Sequence, residues 1–567
     1  MTPSIRGCGR PERMAEAAAA LLRIEDLTVA LPPWADRPEA VSELSLTLGR
    51  GEILCLVGES GSGKSVAARA IMRLLPEPHV RAVAGRILFE GEDLIAASGA
   101  RMRQVRGGRI AMIFQEPMTA LNPLMTVGRQ IEEMIEVHLD MAKSARRARI
   151  LELFSDVHLP DPERLLGAYP HELSGGQRQR AMIAMALILE PAILIADEPT
   201  TALDVTTQAQ ILALIKELQR KHGTGVLFIT HDFGVVAEIA DRVAVMQHGR
   251  LVETGEAAQV LGAPRHPYTQ ALIGAVPSLV PRSERPSSDE PVLLRVKGVE
   301  KAYGARRPGR ARAGARRAVQ AVKSVDLAVR RGRTLGLVGE SGSGKSTLAR
   351  CIVRLIEPDA GEIWLGDAEL ASLSRRRLRP YRQRIQMIFQ DPYGSLNPRL
   401  KVAQLIAQGP MVHGVPEHAA LASARELLAL VGLDPRAADR FPHEFSGGQR
   451  QRIGIARALA LKPEVLVADE PVSALDVSVQ AQVLQLLAGI RDRFHLTMLF
   501  ITHDLRVAAQ VCDEIAVMRH GEIVEHGATA SIFARPTHPY TKELFAAVPG
   551  RHWGAPAAAP AGEAVQP

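Results

Sequence analysis

Gly58-Glu-Ser-Gly-Ser-Gly-Lys64-Ser65 follows the apolar run Glu52-Ile-Leu-Cys-Leu-Val57 and leads into Ser65 to Leu75, which reads as a helix. Strand, glycine-rich turn and helix, in that order, form the setting in which G-x-x-x-x-G-K-[ST] binds phosphate as a Walker A loop. The glycines let backbone N–H groups turn inward, and the helix N-terminus adds partial positive charge. Lys64 is suited to neutralise β- and γ-phosphate oxygens and Ser65 to give its hydroxyl to Mg²⁺.

The same stretch returns as Gly339-Glu-Ser-Gly-Ser-Gly-Lys345-Ser346, an offset of 281. Met112-Ile-Phe-Gln115 returns as Met387-Ile-Phe-Gln390 at an offset of 275. Four more segments return at a constant 272: Ser174-Gly-Gly-Gln177, Ala196-Asp-Glu-Pro199, Ile229-Thr-His231-Asp232 and His266-Pro-Tyr-Thr269. Six motifs in one order identify a tandem duplication. Each half alternates short apolar strands, such as Ala192 to Ala196 and Gly225 to Thr230, with helices, so each half is α/β with a covered parallel sheet. Arg242 to Met246 and Arg250 to Glu253 flank His248-Gly249, the signature of a tight hairpin.

At 567 residues the chain has room for about four ordinary packing units. It is 46% hydrophobic, 23% charged and 4% aromatic, which excludes a disordered chain, a collagen and a disulfide scaffold. The apolar run Ala181 to Leu189 is half of what a bilayer span needs. Arg6, Arg10 and Arg13 before Ala17 to Leu22 imitate a secretory leader, but Arg23 and Glu25 cut the apolar stretch short, so a frayed terminus is expected. Cys8, Cys55, Cys351 and Cys512 are far apart with no C-x-x-C pair, which argues for a reducing compartment and against a zinc or iron–sulfur site. The net charge of +7 allows nucleic acid or an anionic membrane surface as partner without choosing between them.

Asp197 and Asp469 end apolar strands, which puts a carboxylate at the sheet edge where a metal would sit. Glu198 and Glu470 follow at once, each aimed differently, toward an attacking water; hydrolysis needs such a base or water-positioning group. A Ser-Gly-Gly helix opening offers a hydroxyl and backbone donors to an anion, although the serine would also serve as an ordinary N-cap.

Leu173-Ser-Gly-Gly-Gln177 and Phe445-Ser-Gly-Gly-Gln449, each between a Q-loop glutamine and the acidic strand, resemble the signature motif of ATP-binding cassette (ABC) ATPases. The resemblance runs from about Leu22 to about Val548. It implies two tandem P-loop nucleotide-binding domains, each a RecA-like mixed sheet core with an antiparallel β subdomain and a helical subdomain. It also implies a head-to-tail sandwich with ATP and Mg²⁺ at each shared face. The first site then combines Gly58, Glu59, Ser60, Gly61, Ser62, Gly63, Lys64, Ser65 and Val66 with Ser446, Gly447, Gly448 and Gln449. The second combines Gly339, Glu340, Ser341, Gly342, Ser343, Gly344, Lys345, Ser346 and Thr347 with Ser174, Gly175, Gly176 and Gln177. Ser65, Gln115 and Asp197, and likewise Ser346, Gln390 and Asp469, are the implied metal sets. Glu198, His231, Glu470 and His503 are the implied catalytic residues, and Asp204 and Asp476 the D-loop residues that couple the sites. Both glutamates, both histidines and both signatures are present, so two hydrolytic sites are expected. Tyr303 stands where the family stacks an aromatic on adenine; the matching position in the first half is Leu31, with Trp34 nearby, so the first site is expected to bind ATP more weakly.

The His-Pro-Tyr-Thr segments, 35 residues beyond each switch histidine, resemble the C-terminal extension of ATPases that serve peptide, dipeptide and nickel importers. Gln115-Glu-Pro-Met-Thr-Ala-Leu-Asn-Pro123 and Gln390-Asp-Pro-Tyr-Gly-Ser-Leu-Asn-Pro398 resemble that subfamily's Q-loops, near which a permease coupling helix docks. Many members carry a Cys-rich segment after the extension; its absence here predicts no iron–sulfur cluster. The resemblance implies a peripheral subunit on the cytoplasmic face of the inner membrane. Its partners would be two integral-membrane permeases and an extracytoplasmic solute-binding protein, without nucleic acid. Peptides, glutathione-like molecules or a related small solute would be the cargo. A soluble tandem ABC ATPase acting on ribosomes or nucleic acid is the rival reading; the short join, Pro281 to Pro291, and the missing zinc cysteines weigh against it.

The expected organisation is a flexible N-terminus (1–21), a first cassette (22–261), extension and linker (262–291), a second cassette (292–533), a second extension (534–549) and a disordered tail (550–567). The six arginines within Arg306–Arg317 read as a solvated hairpin insertion, with a nucleic-acid or lipid contact as the alternative.

Overall fold

The computed structural model describes residues 20–115, 120–200, 203–283, 285, 290–304, 319–473 and 475–553. The N-terminal stretch with Cys8, residues 116–119 of the first Q-loop segment, Glu284 and 286–289 of the join, the Arg306–Arg317 cluster and the tail beyond 553 lie outside the described residues. Two compact units hold Met1–Leu203, Thr207–Gly274 and Pro549–Pro567, and Asp204–Thr206 and Ala275–Val548.

In the first unit, β1 (Leu22–Ala30), β2 (Glu39–Leu48), β4 (Arg81–Phe89) and β5 (Glu92–Asp93) form an antiparallel sheet in the order β2-β1-β4-β5. The second sheet is built on β3 (Ile53–Val57), whose five residues are all buried, as a strand covered on both faces requires. It runs β10-β9-β3-β8-β7-β6, with β6 (Ile110–Ile113), β7 (Ile193–Asp197), β8 (Gly225–Thr230) and β9 (Arg242–Gln247) parallel to β3 and β10 (Arg250–Glu256) antiparallel at the edge. His248 and Gly249 join β9 to β10 with φ of +49° and +86°, the paired left-handed residues of a tight hairpin turn. Helix α1 (Lys64–Ile71) leaves the loop after β3, and α2 (Val127–His138), α3 (Lys143–Asp156) and α4 (Gly175–Leu187) pack on one another. Helix α5 (Val205–His222) precedes β8, α6 (Phe233–Ile239) follows it, and α7 (Pro267–Gly274) carries the first His-Pro-Tyr-Thr segment.

Helix α1 stops at Ile71, short of the expected Leu75, because Arg73 takes a left-handed φ of +49° that no helix continues through. Leu21, expected in the flexible terminus, is already buried with its N–H on the Leu48 carbonyl at 2.9 Å. Gly550–Trp553 close a turn, the Trp553 N–H on the Gly550 carbonyl at 2.9 Å, so the expected disorder does not begin at Gly550.

The second unit repeats the plan. Strands β11 (Val292–Tyr303), β12 (Val319–Arg330), β14 (Ala360–Leu365) and β15 (Ala368–Glu369) form the antiparallel sheet. The mixed sheet runs β16-β17-β18-β13-β19-β20, from β13 (Thr334–Val338), β16 (Ile385–Ile388), β17 (Val465–Asp469), β18 (Thr497–Thr502), β19 (Glu514–Arg519) and β20 (Glu522–Ala528). Its longer helices are α8 (Lys345–Ile352), α9 (Val402–Val412), α10 (Glu417–Leu430), α11 (Gly447–Leu459), α12 (Val477–Phe494), α13 (Leu505–Val511) and α14 (Pro539–Ala546). One core lies between the two sheets (Leu294, Val322, Leu337, Ile352) and another joins the mixed sheet to the helices (Leu405, Leu428, Ile453, Leu487, Phe500). Each unit thus has the expected mixed core sheet, antiparallel sheet and helical layer. None of the described helices is long and apolar enough to cross a membrane.

Candidate functional site

Each glycine-rich loop sits at the C-terminal end of the central strand, β3 or β13. Gly58 has φ of +148° and Gly63 +104°; a Cβ on them would lie 2.2 Å from the Met246 carbonyl oxygen and 2.5 Å from that of Ala40. Only glycine allows so close a backbone approach, and Gly339 and Gly344 repeat it with 2.2 and 2.1 Å. Gly63 and Gly344 are the N-caps of α1 and α8, so the first-turn N–H groups, which no carbonyl of their own helix can accept, open onto the loop. Lys64 is buried and its Nζ donates to the carbonyls of Gly58 (2.7 Å) and Glu59 (2.8 Å); Lys345 does so to Gly339 (2.8 Å) and Glu340 (2.7 Å). Burial holds the Lys345 ammonium below its ordinary pKa. The structure therefore gathers each loop into a nest of donors with a cation at its centre.

Asp197 and Asp469 are the last residues of β7 and β17, both buried. Ser65 Oγ donates to Asp197 Oδ1 at 2.8 Å and Ser346 Oγ to Asp469 Oδ1 at 2.9 Å. Burial raises both aspartate pKa values, although the serine bonds pull the other way. A buried carboxylate paired with a hydroxyl is an oxygen-only donor set, which suits Mg²⁺.

Glu198 and Glu470 each take φ of +46°, a left-handed turn that swings the side chain off the line of the strand. Gln115 Nε2 donates to Glu198 Oε2 at 2.7 Å, and His231 Nδ1 lies 3.1 Å from Oε1. In the second unit Gln390 Nε2 donates to Glu470 Oε2 at 2.9 Å, and His503 Nδ1 lies 3.3 Å from that same oxygen. Burial works against charge on Glu470 and His503, yet their mutual bond and attraction prevail, holding the glutamate below and the histidine above their ordinary values. The structure thus bonds each glutamine and histidine to the glutamate that follows the strand-ending aspartate.

Ser174 and Ser446 cap α4 and α11, each accepting the N–H of the glutamine three residues on while that glutamine accepts the serine N–H. Gly175, Gly176, Gly447 and Gly448 form the first turns. Asp204 Oδ1 accepts the Thr206 hydroxyl at 2.8 Å, and Asp476 is the N-cap of α12. Tyr303 ends β11, 43% exposed, whereas Leu31 packs half-buried on the first core and the Trp34 ring stands edge-on to His79 at 5.5 Å.

Beside Gln390 the second unit has a groove of about 750 Å³ between the mixed sheet and α9, lined by Phe389, Leu405, Val412, His413 and Arg457. Cys55, Cys351 and Cys512 are buried; burial pushes the Cys351 thiol up to about 11 and the other two higher. Sequence reasoning did not find that Tyr268 and Tyr540 reach the loops. The constant 272-residue offset of the His-Pro-Tyr-Thr segments was the only available signal.

Residues 41–201 and 322–473 match the family described as ABC transporter, and 252–311 and 524–563 match the oligopeptide/dipeptide transporter C-terminal region. The chain is 49% identical over 535 residues to the peptidoglycan transport ATP-binding protein YejF of Agrobacterium fabrum, covering 93% of this chain and 96% of the relative. It is 48% identical over 562 residues to the glutathione import ATP-binding protein GsiA of Shigella boydii, covering 94% and 90%. It is 49% identical over 531 residues to an uncharacterized ABC transporter ATP-binding protein, YejF, of Escherichia coli K12, covering 93% and 99%.

Proposed function

Because the chain belongs to the ABC transporter ATPase family, we propose that it is the ATP-hydrolysing subunit of an importer for peptides, glutathione-like molecules or a related small solute. The observation that carries the import reading is the oligopeptide/dipeptide transporter region matched twice, each match beginning near the end of a cassette, at 252 and at 524. The names of the relatives, peptidoglycan transport and glutathione import, point the same way. The cassettes are assigned to 22–261 and 292–533, followed by extensions at 262–291 and 534–549.

In this reading Lys64 and Lys345, with the loop N–H groups, bind the ATP phosphates. Each loop works with the signature of the other half, Ser446 to Gln449 for the first and Ser174 to Gln177 for the second. Ser65, Gln115 and Asp197, and Ser346, Gln390 and Asp469, would hold Mg²⁺. A bound Mg²⁺ supplies charge neutralisation at the phosphates. Glu198 and Glu470 orient the attacking water and accept its proton, and His231 and His503 orient the glutamates and face the γ-phosphate. Asp204 and Asp476 couple the two sites. No iron–sulfur cluster is assigned, since the sequence carries no Cys-rich segment after either His-Pro-Tyr-Thr extension.

Transport is delegated to two integral-membrane permeases supplied by an extracytoplasmic solute-binding protein, with this chain peripheral on the cytoplasmic face. The groove beside Gln390 is lined by apolar side chains (Phe389, Leu405, Val412) and by Arg350, Arg382 and Arg457, a mixture that would suit a permease helix. Affinity purification of the tagged full chain from detergent-solubilised membranes tests this. Two integral-membrane proteins should copurify; ribosomes or nucleic acid in their place would overturn it.

A further inference from the structure

Each His-Pro-Tyr-Thr segment opens a helix, and the opening is built identically in both units. His266 Nδ1 accepts the Tyr268 N–H and His538 Nδ1 the Tyr540 N–H, both at 3.2 Å. Proline at the first helical position fixes the entry angle. Glu253 accepts the N–H groups of Arg265 (2.8 Å) and His266 (3.1 Å), and Glu525 those of Thr537 (2.8 Å) and His538 (3.2 Å). Thr269 and Thr541 are fully buried. So braced, the tyrosine is aimed at the phosphate loop. Tyr268 Oη accepts the Glu59 N–H at 3.1 Å, and Tyr540 Oη accepts the Glu340 N–H at 3.1 Å.

Glu59 and Glu340 are the second residues of the loops, and their carbonyls are the ones that Lys64 and Lys345 bond. The backbone of one residue is therefore gripped from two directions, by a phenol on its N–H and by an ammonium on its C=O. A lysine that turns to a phosphate gives up the carbonyl; the phenol bond is independent of that turn. The preceding glycine, Gly58 or Gly339, imposes little torsional restraint of its own.

We propose that Tyr268 and Tyr540 are positioning residues for ATP, holding the Glu59 and Glu340 amides so that each loop keeps its phosphate-binding shape when the lysine leaves its carbonyls. This rests on the reading of the loops as ATP sites. The grip is differently supported in the two units: the Tyr268 hydroxyl lies 3.3 Å from Glu59 Oε2, whereas the Arg519 guanidinium covers the Tyr540 ring at 4.6 Å. Burial raises the Tyr540 pKa to about 12, so its hydroxyl stays protonated.

The test uses the full chain with Tyr268→Phe, Tyr540→Phe and both together, which keep the rings and remove the hydroxyls. The loss of one neutral hydrogen bond per loop should raise KM for ATP about three- to tenfold, with kcat falling less than KM rises. Hydrogen exchange at the Glu59 and Glu340 amides should quicken in the matching variant, a readout that general destabilisation would not confine to one loop. If the double variant does not fold, each single variant gives the same test at its own loop. Unchanged exchange at those amides, or unchanged KM in a folded variant, overturns the inference. The two failures separate cleanly: wild-type protein that binds no ATP defeats the reading of the loops, whereas binding abolished by Lys64→Ala plus Lys345→Ala but untouched by Tyr→Phe defeats only the role given to the tyrosines.

Discussion

Gln115 Nε2 donates to Glu198 Oε2 at 2.7 Å while His231 Nδ1 sits 3.1 Å from Oε1, so both carboxylate oxygens are engaged by side chains from other segments. Glu470 concentrates its bonds instead: Gln390 at 2.9 Å and His503 at 3.3 Å share Oε2. The two glutamates thus carry the same partners with different geometry.

Glu198→Gln and Glu470→Gln test whether both are hydrolytic. An amide is nearly the same size but cannot accept a proton from water, and its NH₂ cannot accept a bond from glutamine. Each single change should lower ATP turnover by roughly a hundredfold at its own site, about 3 kcal/mol of barrier, with ATP binding retained. Turnover by either variant at the wild-type rate would show that its glutamate is not catalytic.

Much of this was legible because local chemistry repeats. The loops, the strands ending in Asp197 and Asp469, and the His248-Gly249 hairpin follow from residues within a few positions of one another. What escaped depends on backbone choices or on distant pairing. Arg73 at φ +49° ends α1 early, and the same sign of φ at Glu198 and Glu470 redirects their side chains; neither residue type announces it. The Tyr268–Glu59 bond spans 209 positions and became visible only when the fold brought α7 to the loop after β3.

The signature serines carry two roles that substitution can separate. Ser174 Oγ accepts the Gln177 N–H at 3.3 Å and Ser446 Oγ the Gln449 N–H at 3.4 Å, so Ser→Ala should cost about 1 kcal/mol of stability at either cap. Ser→Asp keeps the cap but brings a negative charge to where phosphate is proposed to bind. The aspartate variants should keep the wild-type melting temperature and lose hydrolysis. Hydrolysis at the wild-type rate by Ser174→Asp and Ser446→Asp would leave no anion at that helix end.

Acid should loosen the second extension through Glu525. This carboxylate accepts the Thr537 N–H and hydroxyl, both at 2.8 Å, and the His538 N–H at 3.2 Å. Burial alone would raise its pKa, but these donors and the facing Thr541 hydroxyl bring it from 4.5 down to about 2. A carboxyl with a folded pKa below its unfolded value contributes stability that is complete above the unfolded value and is lost as pH falls toward the folded one. Urea midpoints of wild type and Glu525→Gln should therefore differ most near neutral pH and converge from about pH 4.5 downward. A gap that stays constant across that range would assign the titration to another group.

An adenine stacked on Tyr303, as the family resemblance implies, would make the two ATP sites differ. Tyr303 ends β11 with 43% of its surface exposed, free to take a base on its ring, while Leu31 is packed half-buried on the first core and Trp34 turns its edge to His79. An aromatic stack contributes about 1 kcal/mol beyond simple burial, roughly a fivefold difference in affinity. ATP titration of a hydrolysis-deficient chain, Glu198→Gln with Glu470→Gln, should resolve a tighter and a weaker site. Tyr303→Ala should weaken the tighter one until the two nearly coincide, and Leu31→Tyr should leave the tighter one as it was. Two equal sites in the parent, or a Tyr303→Ala chain that still binds with the original two affinities, would mean that the base stacks elsewhere.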